Sequence, residues 1–376
     1  MNTLRPARSG IPLCLLLLPV LCAAAADPVT LPLGAPAPDF NLPGVDGKNH
    51  ALSDFATAKV LVINFTCNHC PTAQHYEERT RQLVEDYKDR GVALVAISSS
   101  SPGGLRLDEM GWTDLDDSFA SMKIRARDRK YNYPYLYDGD APQAVCTAYG
   151  PVATPHYFVF DQARKLRYAG RFDDDERGRD VRKRFVADAI DALLAGREPP
   201  VTTTKVAGCS TKWAGKADQV KAYMEKLAAE PVTVEKAGAT LLADLRKNTS
   251  GKTRLVTFWG TWCAPCVAEF PEFVTINRMY RHRAFELVTV AVNDPADEPE
   301  VLAFLKKQQA SNRNLLFASK DRDALVDAFD PDWQGEVPLT VLITPEGKVA
   351  FRATGAVDPL ELRRAVLREL DARKPW

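Results

Sequence analysis

Lysine plus arginine and aspartate plus glutamate balance at 49 each over 376 residues, so the formal net charge is zero. That balance gives no electrostatic case for nucleic acid or an acidic partner, and the length fits two or three domains rather than one. Beyond the N-terminus no stretch is long and apolar enough to span a bilayer. The N-terminus itself carries Arg5 and Arg8, an apolar core from Ile11 to Leu21 and then Ala24-x-Ala26. This is the layout of a secretory signal over 1–26, cleaved before Asp27. Lipid attachment through Cys22 fits poorly, because Leu21 stands where a small residue is usual. Of the eight cysteines, Cys14 and Cys22 leave with the signal, and Cys67, Cys70, Cys146, Cys209, Cys263 and Cys266 remain. In an oxidising compartment the state of paired thiols depends on a supply of electrons.

Pro28, Pro32, Pro36 and Pro38 mark an extended lead-in, and Val45-Asp46-Gly47-Lys48 a hairpin turn. Val60 to Phe65 is an apolar run of the buried-strand type. Cys67-Asn68-His69-Cys70-Pro71 follows, then a helical pattern from Thr72 to Arg90 and a second buried strand from Val92 to Ile97. Ser98 to Gly150 is a long insertion, with a helix expected over 114–130. Its aromatic run, Tyr131 to Tyr137, reads as an edge strand packed on the core. Thr154-Pro155-His156 opens a hairpin of Tyr157 to Phe160 and Leu166 to Ala169. Arg171 to Lys183 is a dense charge run, expected to be solvated, and Val181 to Leu194 a closing amphipathic helix. Gly196 to Thr204 reads as linker. Gly208-Cys209-Ser210-Thr211-Lys212-Trp213 and a helix over 216–230 follow.

The second unit has a helix from Thr240 to Lys247, a buried strand from Leu255 to Trp259, and Cys263-Ala264-Pro265-Cys266 at the head of a helix reaching Arg283. Phe285 to Val292 is its next strand and Pro299 to Gln309 its next helix. Val337-Pro338 opens a hairpin, Pro338 to Ile343 and Lys348 to Arg352, and Pro359 to Leu370 is the last helix. A cysteine at a helix N-terminus has its thiolate favoured by unpaired N–H groups and the helix dipole. Its partner one turn on is within disulfide reach. One C-x-x-C without a second Cys/His pair nearby is a poor zinc framework, so no metal is expected. Strand, C-x-x-C, helix, strand occurs twice, the motifs 263 − 67 = 196 positions apart; the chain repeats itself at the level of fold.

W-C-A-P-C-V-A-E-F-P, with Glu269 and Pro271 in the x-x-E-x-P that follows the cysteines, resembles the active site of the TlpA/ResA-like branch of the thioredoxin superfamily. A-P-A-P-D-F-N-L-P-G and C-N-H-C-P resemble the redoxin (AhpC/TSA-like) group, and G-C-S-T-K-W resembles a tail at the end of such domains. The resemblance implies an α/β fold of two thioredoxin-like domains, each a mixed central sheet flanked by helices. Their bounds are 27–198 and 232–376, joined by a linker over 199–231. It further implies cis-prolines at Pro155 and Pro338. These would frame the substrate with Thr154 and Val337 and leave a backbone edge free for an incoming strand. Cys67 and Cys263 would attack, Cys70 and Cys266 would resolve, and each pair would close a disulfide, Cys67–Cys70 and Cys263–Cys266. Glu269 would accept a proton near the resolving thiol.

The expected activity is thiol–disulfide exchange with protein or peptide thiols and disulfides, fed by an upstream electron donor or acceptor, in a bacterial periplasm and without a bound organic cofactor. Protonated His69 beside Cys70 would stabilise a thiolate and make the first pair the more oxidising. A thiol peroxidase is the first alternative, but Cys67 stands where the peroxiredoxin threonine should be. A Sco-like Cu(I) site using Cys67, Cys70 and His156 or His69 is the second, although Sco proteins space their cysteines one residue wider. Cys146 and Cys209 could be inert, pair with each other, or relay a disulfide from Cys70.

Overall fold

The computed structural model describes residues 29–373; the signal expected over 1–26 lies outside them. The first unit begins with a hairpin, β1 (Asn41–Pro43) and β2 (Asn49–Ala51). Next come β3 (Val60–Thr66), α1 (Pro71–Tyr87) and β4 (Val92–Ser98). The insertion holds α2 (Phe119–Asp128), β5 (Tyr135–Tyr137) and α3 (Ala144–Tyr149). The short β6 (Ala153–Thr154), β7 (His156–Phe160), β8 (Leu166–Gly170) and α4 (Phe185–Leu194) complete the unit. The sheet runs β5-β4-β3-β7-β8, parallel from β5 to β3 and antiparallel beyond. All seven residues of β3 are buried, as an apolar, β-branched run covered on both faces requires.

Between the units stand β9 (Cys209–Ser210) and α5 (Ala217–Ala228). The second unit has β10 (Glu235–Ala237), α6 (Ala239–Lys247), β11 (Thr253–Trp259), α7 (Ala264–Tyr280) and β12 (Phe285–Ala291). It continues with α8 (Glu298–Lys307), β13 (Arg313–Phe317), α9 (Arg322–Phe329), β14 (Leu339–Ile343), β15 (Val349–Thr354) and α10 (Pro359–Arg373). Its sheet runs β10-β13-β12-β11-β14-β15, again with a parallel half and an antiparallel hairpin. Each unit is thus a mixed sheet with helices packed on it, the thioredoxin-like architecture. The central strand is placed alike in both: β3 opens with Val60 opposite Val92, β11 with Thr253 opposite Phe285. The repeat in space is therefore 253 − 60 = 193 positions, three fewer than the spacing of the two cysteine motifs.

Several elements depart from the sequence reading. β10, β13, α3 and α9 were not expected, because each is short and its apolar residues show no long periodic run. The charge run at 171–183 is only partly solvated. Phe172 is in the core, and Asp173, 1 % exposed, is bonded by the Arg79 guanidinium and by Tyr76 Oη at 3.2 Å. The segment taken as linker is bound to the first unit. Ala169 N–H donates to Thr202 O (3.0 Å), Thr204 N–H to Ala169 O (3.2 Å), and Thr211 Oγ1 to Pro151 O (2.7 Å).

The insertion also joins the units. Leu105 and Met110 are buried with Phe273, Ile276 and Met279 of α7. Tyr280 Oη donates to Thr113 O (2.8 Å), Arg283 Nη1 to Gly111 O (3.1 Å), and the Arg283 guanidinium lies 3.7 Å over the Trp112 ring. Arg364 reaches both Asp114 (2.9 Å) and Asp128 (2.5 Å). Met110→Ala should therefore cost about 2–5 kcal/mol of stability, the range for truncating a buried methionine, read as a fall in the urea midpoint at unchanged slope. A midpoint equal to that of the parent would contradict this packing.

Candidate active site

In the second unit β11 delivers the chain to Gly260, and α7 starts at Ala264 with Cys263 as its N-cap. Pro265 occupies the second helical position, where its missing N–H forgoes no bond. Cys263 and Cys266 are joined in a disulfide, with Cα atoms 5.3 Å apart. Cys266 N–H points at Cys263 Sγ from 3.4 Å, and Val337 O lies 3.7 Å from the same sulfur. The Val337–Pro338 peptide is cis. Trp262 is 60 % exposed beside the pair. Its ring lies so close over Gly260 that a Cβ there would come within 2.8 Å. Glu269 Oε2 accepts from Val357 N–H (3.1 Å), while Oε1 is buried with no hydrogen-bond partner among the described residues. Burial raises its pKa against that one backbone bond, which keeps a proton on it more readily than on a surface glutamate.

In the first unit the helix begins at Pro71, with Cys70 as N-cap. Cys70 is therefore the counterpart of Cys263, and Cys67 falls where the second unit has Gly260. The reason is the proline: Pro71, at the first helical position, fixes the start of α1 just after the second cysteine. Cys67, expected to attack, therefore lies three residues before the helix cap, and Cys70, expected to resolve, is the cap itself. The carbonyl preceding the proline agrees with this register. The Thr154–Pro155 peptide is cis, and Thr154 O lies 3.0 Å from Cys70 Sγ, as Val337 O lies near Cys263. Cys67 Sγ instead meets Thr154 Oγ1, at 3.0 Å. Cys67 and Cys70 are thiols in this structure.

The two thiols differ in acidity. Burial drives Cys67 up, and the neighbouring Cys70 and Asp117 add to this. Burial would also raise Cys70, but hydrogen bonds from the Cys209 and Cys67 thiols, the His69 charge and the Ala73 N–H outweigh it and hold it well below the ordinary 9.0. Cys209 N–H also donates to Cys70 Sγ, at 3.2 Å. His69 is fully buried, and burial would lower its pKa. Asp117 reverses that, through charge and through an Oδ2 contact with Nδ1 at 2.5 Å. Asp117 Oδ1 also accepts the backbone N–H groups of Asn68 (2.8 Å) and His69 (3.0 Å), fixing the loop between the cysteines. Nothing in the sequence singles out Asp117, which lies in the insertion 48 positions from His69.

Cys67, His69 and Asp117 bring ligand atoms within 4.8 Å of one another, but His69 Nδ1 and both Asp117 oxygens are already engaged in hydrogen bonds. His156, 2 % exposed, packs tilted against the Phe158 ring at 4.4 Å and is pushed down to about 4 by burial, so it is neutral. Cys146 sits in another cluster, against Asp138, with its thiol raised by burial. It does not meet Cys209, which packs with Cys67 and Cys70.

The edge expected to be free at Thr154 is not free. β9 pairs antiparallel with β6, Thr154 opposite Cys209 and Ala153 opposite Ser210. In the second unit no strand pairs with Glu336 or Val337 among the described residues.

Comparison with known proteins agrees with this architecture. Residues 33–169 match the AhpC/TSA family and residues 229–366 the Redoxin family; the chain belongs to the redoxin group as a tandem of two such domains. Thiol-disulfide oxidoreductase ResA of Bacillus subtilis is 35% identical to it over 116 residues, 31% of this chain and 58% of that protein. ResA of Geobacillus kaustophilus is 27% identical over 125 residues, 33% and 65% respectively. The chain thus spans about three-fifths of the length of these relatives. Among solved structures, a hypothetical protein of Sinorhizobium meliloti is similar at 32% identity and a TM-score of 0.44, covering 50% of this chain and 97% of its own. An uncharacterized conserved protein of Geobacillus kaustophilus is similar at 37% identity and 0.44, covering 50% and 95%.

The shifted thiol and imidazole have opposite consequences for stability. His69, raised above its ordinary 6.5, contributes stability that is full below pH 6.5 and lost as pH rises through its folded value. Cys70, lowered from 9.0, contributes stability that is full above pH 9 and lost as pH falls through its folded value. In the reduced protein, the thiolate absorbance removed by Cys70→Ser should therefore titrate well below pH 9. Asp117→Asn should move that midpoint upward, because His69 loses the anion that keeps it charged. A midpoint unmoved by Asp117→Asn would exclude the imidazolium as the cause.

Proposed function

We propose that this chain is an exported thiol–disulfide oxidoreductase that exchanges disulfides with protein or peptide partners through two dithiols, in a redoxin-like domain over 27–198 and a TlpA-like domain over 232–376. One recurring placement carries the reading. In each unit a cysteine caps the helix that follows the central strand, its sulfur against the carbonyl that precedes a proline. Helix-end N–H groups favour the thiolate, and the adjacent carbonyl edge can hold an extended segment.

In the reducing direction the capping thiolate, Cys263 or Cys70, attacks a partner disulfide. The partner's S–S bond breaks, one partner sulfur leaves as thiolate, and a mixed disulfide forms. The second cysteine, Cys266 or Cys67, then attacks the capping sulfur; the intramolecular disulfide closes and the other partner sulfur leaves. The roles in the first unit thus run against chain order. Glu269, with a raised pKa and a free oxygen, takes the proton of Cys266 in the second step. No organic cofactor takes part. The ResA relatives carry the same activity in their name, and the signal-like order of residues 1–26 supports a reaction outside the cytoplasm, in a periplasm.

A thiol peroxidase is the second reading, favoured by the AhpC/TSA match and by an acidic thiol at a helix N-cap. The hydroxyl that would position peroxide is replaced by Cys67. Peroxide consumption that survives Cys67→Ser but not Cys70→Ser would establish that reading instead.

Three outcomes test the oxidoreductase. With Cys266→Ala the full chain should accumulate a mixed disulfide through Cys263, identified by mass spectrometry of the trapped adduct. Glu269→Gln should slow re-formation of the Cys263–Cys266 disulfide by about 10²-fold, the low end for loss of a general base. The Cys67/Cys70 couple should be the more oxidising of the two in a glutathione titration, since its thiolate has an imidazolium neighbour. A more negative potential than that of Cys263/Cys266 contradicts the assignment.

A further inference from the structure

Cys209, like Cys146, belongs to neither dithiol, yet the chain takes care to hold it beside one. β9 enters the first unit's groove as a backbone strand, in register with Thr154. Gly208 lets it in: its φ is +138°, and a Cβ there would stand 1.9 Å from Thr154 O. Past Cys209 the segment is tied down. Ser101 N–H donates to Lys212 O (2.8 Å), Ala214 N–H to Gln143 Oε1 (2.6 Å), and Lys212 Nζ, itself buried, to Glu109 Oε1 (2.6 Å). Strand pairing beside a cis-proline, with a cysteine opposite the residue that precedes it, is the pose required of a partner protein in this chemistry. Here the chain supplies that strand itself.

We propose that 208–213 is an internal substrate strand and that Cys209 is a third redox cysteine, exchanging with the Cys67–Cys70 disulfide to form Cys70–Cys209. This rests on the oxidoreductase reading of Cys67 and Cys70. The step balances without any outside reagent. The Cys209 sulfur attacks Cys70 Sγ, the Cys70–Cys67 bond breaks, the Cys70–Cys209 bond forms, and the Cys209 proton passes to the released Cys67 sulfur. While the strand is seated, an outside protein cannot dock at Thr154, so the first centre exchanges with the chain before it exchanges with a partner. The second centre, with no strand opposite Val337 among the described residues, has no such gate.

The test is disulfide mapping of the full chain equilibrated in oxidised and reduced glutathione, acid-quenched, alkylated and digested without reduction. The parent should yield both Cys67–Cys70 and Cys70–Cys209 peptides. Cys67→Ser should yield Cys70–Cys209 over the Cys70–glutathione adduct by about tenfold or more, because a thiol held in contact outcompetes a dilute one. Gly208→Val, which forces the strand off Thr154, should cut the Cys70–Cys209 peptide by about tenfold while Cys67–Cys70 persists. A parent that forms Cys67–Cys70 with Cys209 alkylated throughout overturns this inference alone. A parent in which Cys70 enters no disulfide overturns the oxidoreductase reading of the first domain with it. An unchanged Cys70–Cys209 yield in Gly208→Val would show that the strand is not what presents Cys209.

Discussion

One contact organises both halves of this protein: a cysteine sulfur at a helix N-terminus, pressed against the carbonyl that precedes a cis-proline. The sheet exists to make that contact. Its central strand points the chain at the helix start, and the neighbouring antiparallel strand brings the proline opposite. Register decides the matter, because a shift of one residue along β7 or β14 would turn the proline to the other side of the sheet. In both units the pairing places the residue after the proline opposite the last phenylalanine of the central strand, Phe65 with His156 and Phe258 with Leu339.

Around that shared contact the two centres are built for different tasks. At Cys263 the helix end works nearly alone, beside an exposed tryptophan and an open edge. At Cys70 it is reinforced by a buried imidazole, the carboxylate behind it and two further thiols. Buried charge is tolerable only when paired and hydrogen-bonded, and Asp117 meets that condition by bonding two backbone N–H groups and the ring at once. The same insertion that brings in Asp117 carries Leu105 and Met110 into the second unit's core. A single stretch of chain, 105–117, therefore touches both the loop around His69 and the helix that Cys263 caps. That is physical continuity between the sites; energetic coupling is a separate quantity.

Much of this was legible in the residues. The twin strand–C-x-x-C–helix units and the two hairpins follow from local pattern, since strand burial and helix starts are written in short-range periodicity, whereas the prolines opposite the thiols were expected from the resemblance to thioredoxin-like sites. The proline after Cys70 also held the true helix start, a signal the similarity of the two motifs conceals. Asp117 left no such mark, because what makes it functional is a partner 48 positions away. The short strands β10 and β13 went unseen because their stability comes from lateral pairing in the sheet and not from their own sequence.

The amino-acid order alone thus determined that two dithiols stand where strands give way to helices, because propensity, proline placement and apolar runs are properties of neighbours in the chain. Which cysteine caps the helix in the first unit, which carboxylate pairs with its histidine, and that Cys209 fills a groove expected to be open were settled only by tertiary structure. Those depend on register and on contacts between residues tens of positions apart, where no local pattern reaches.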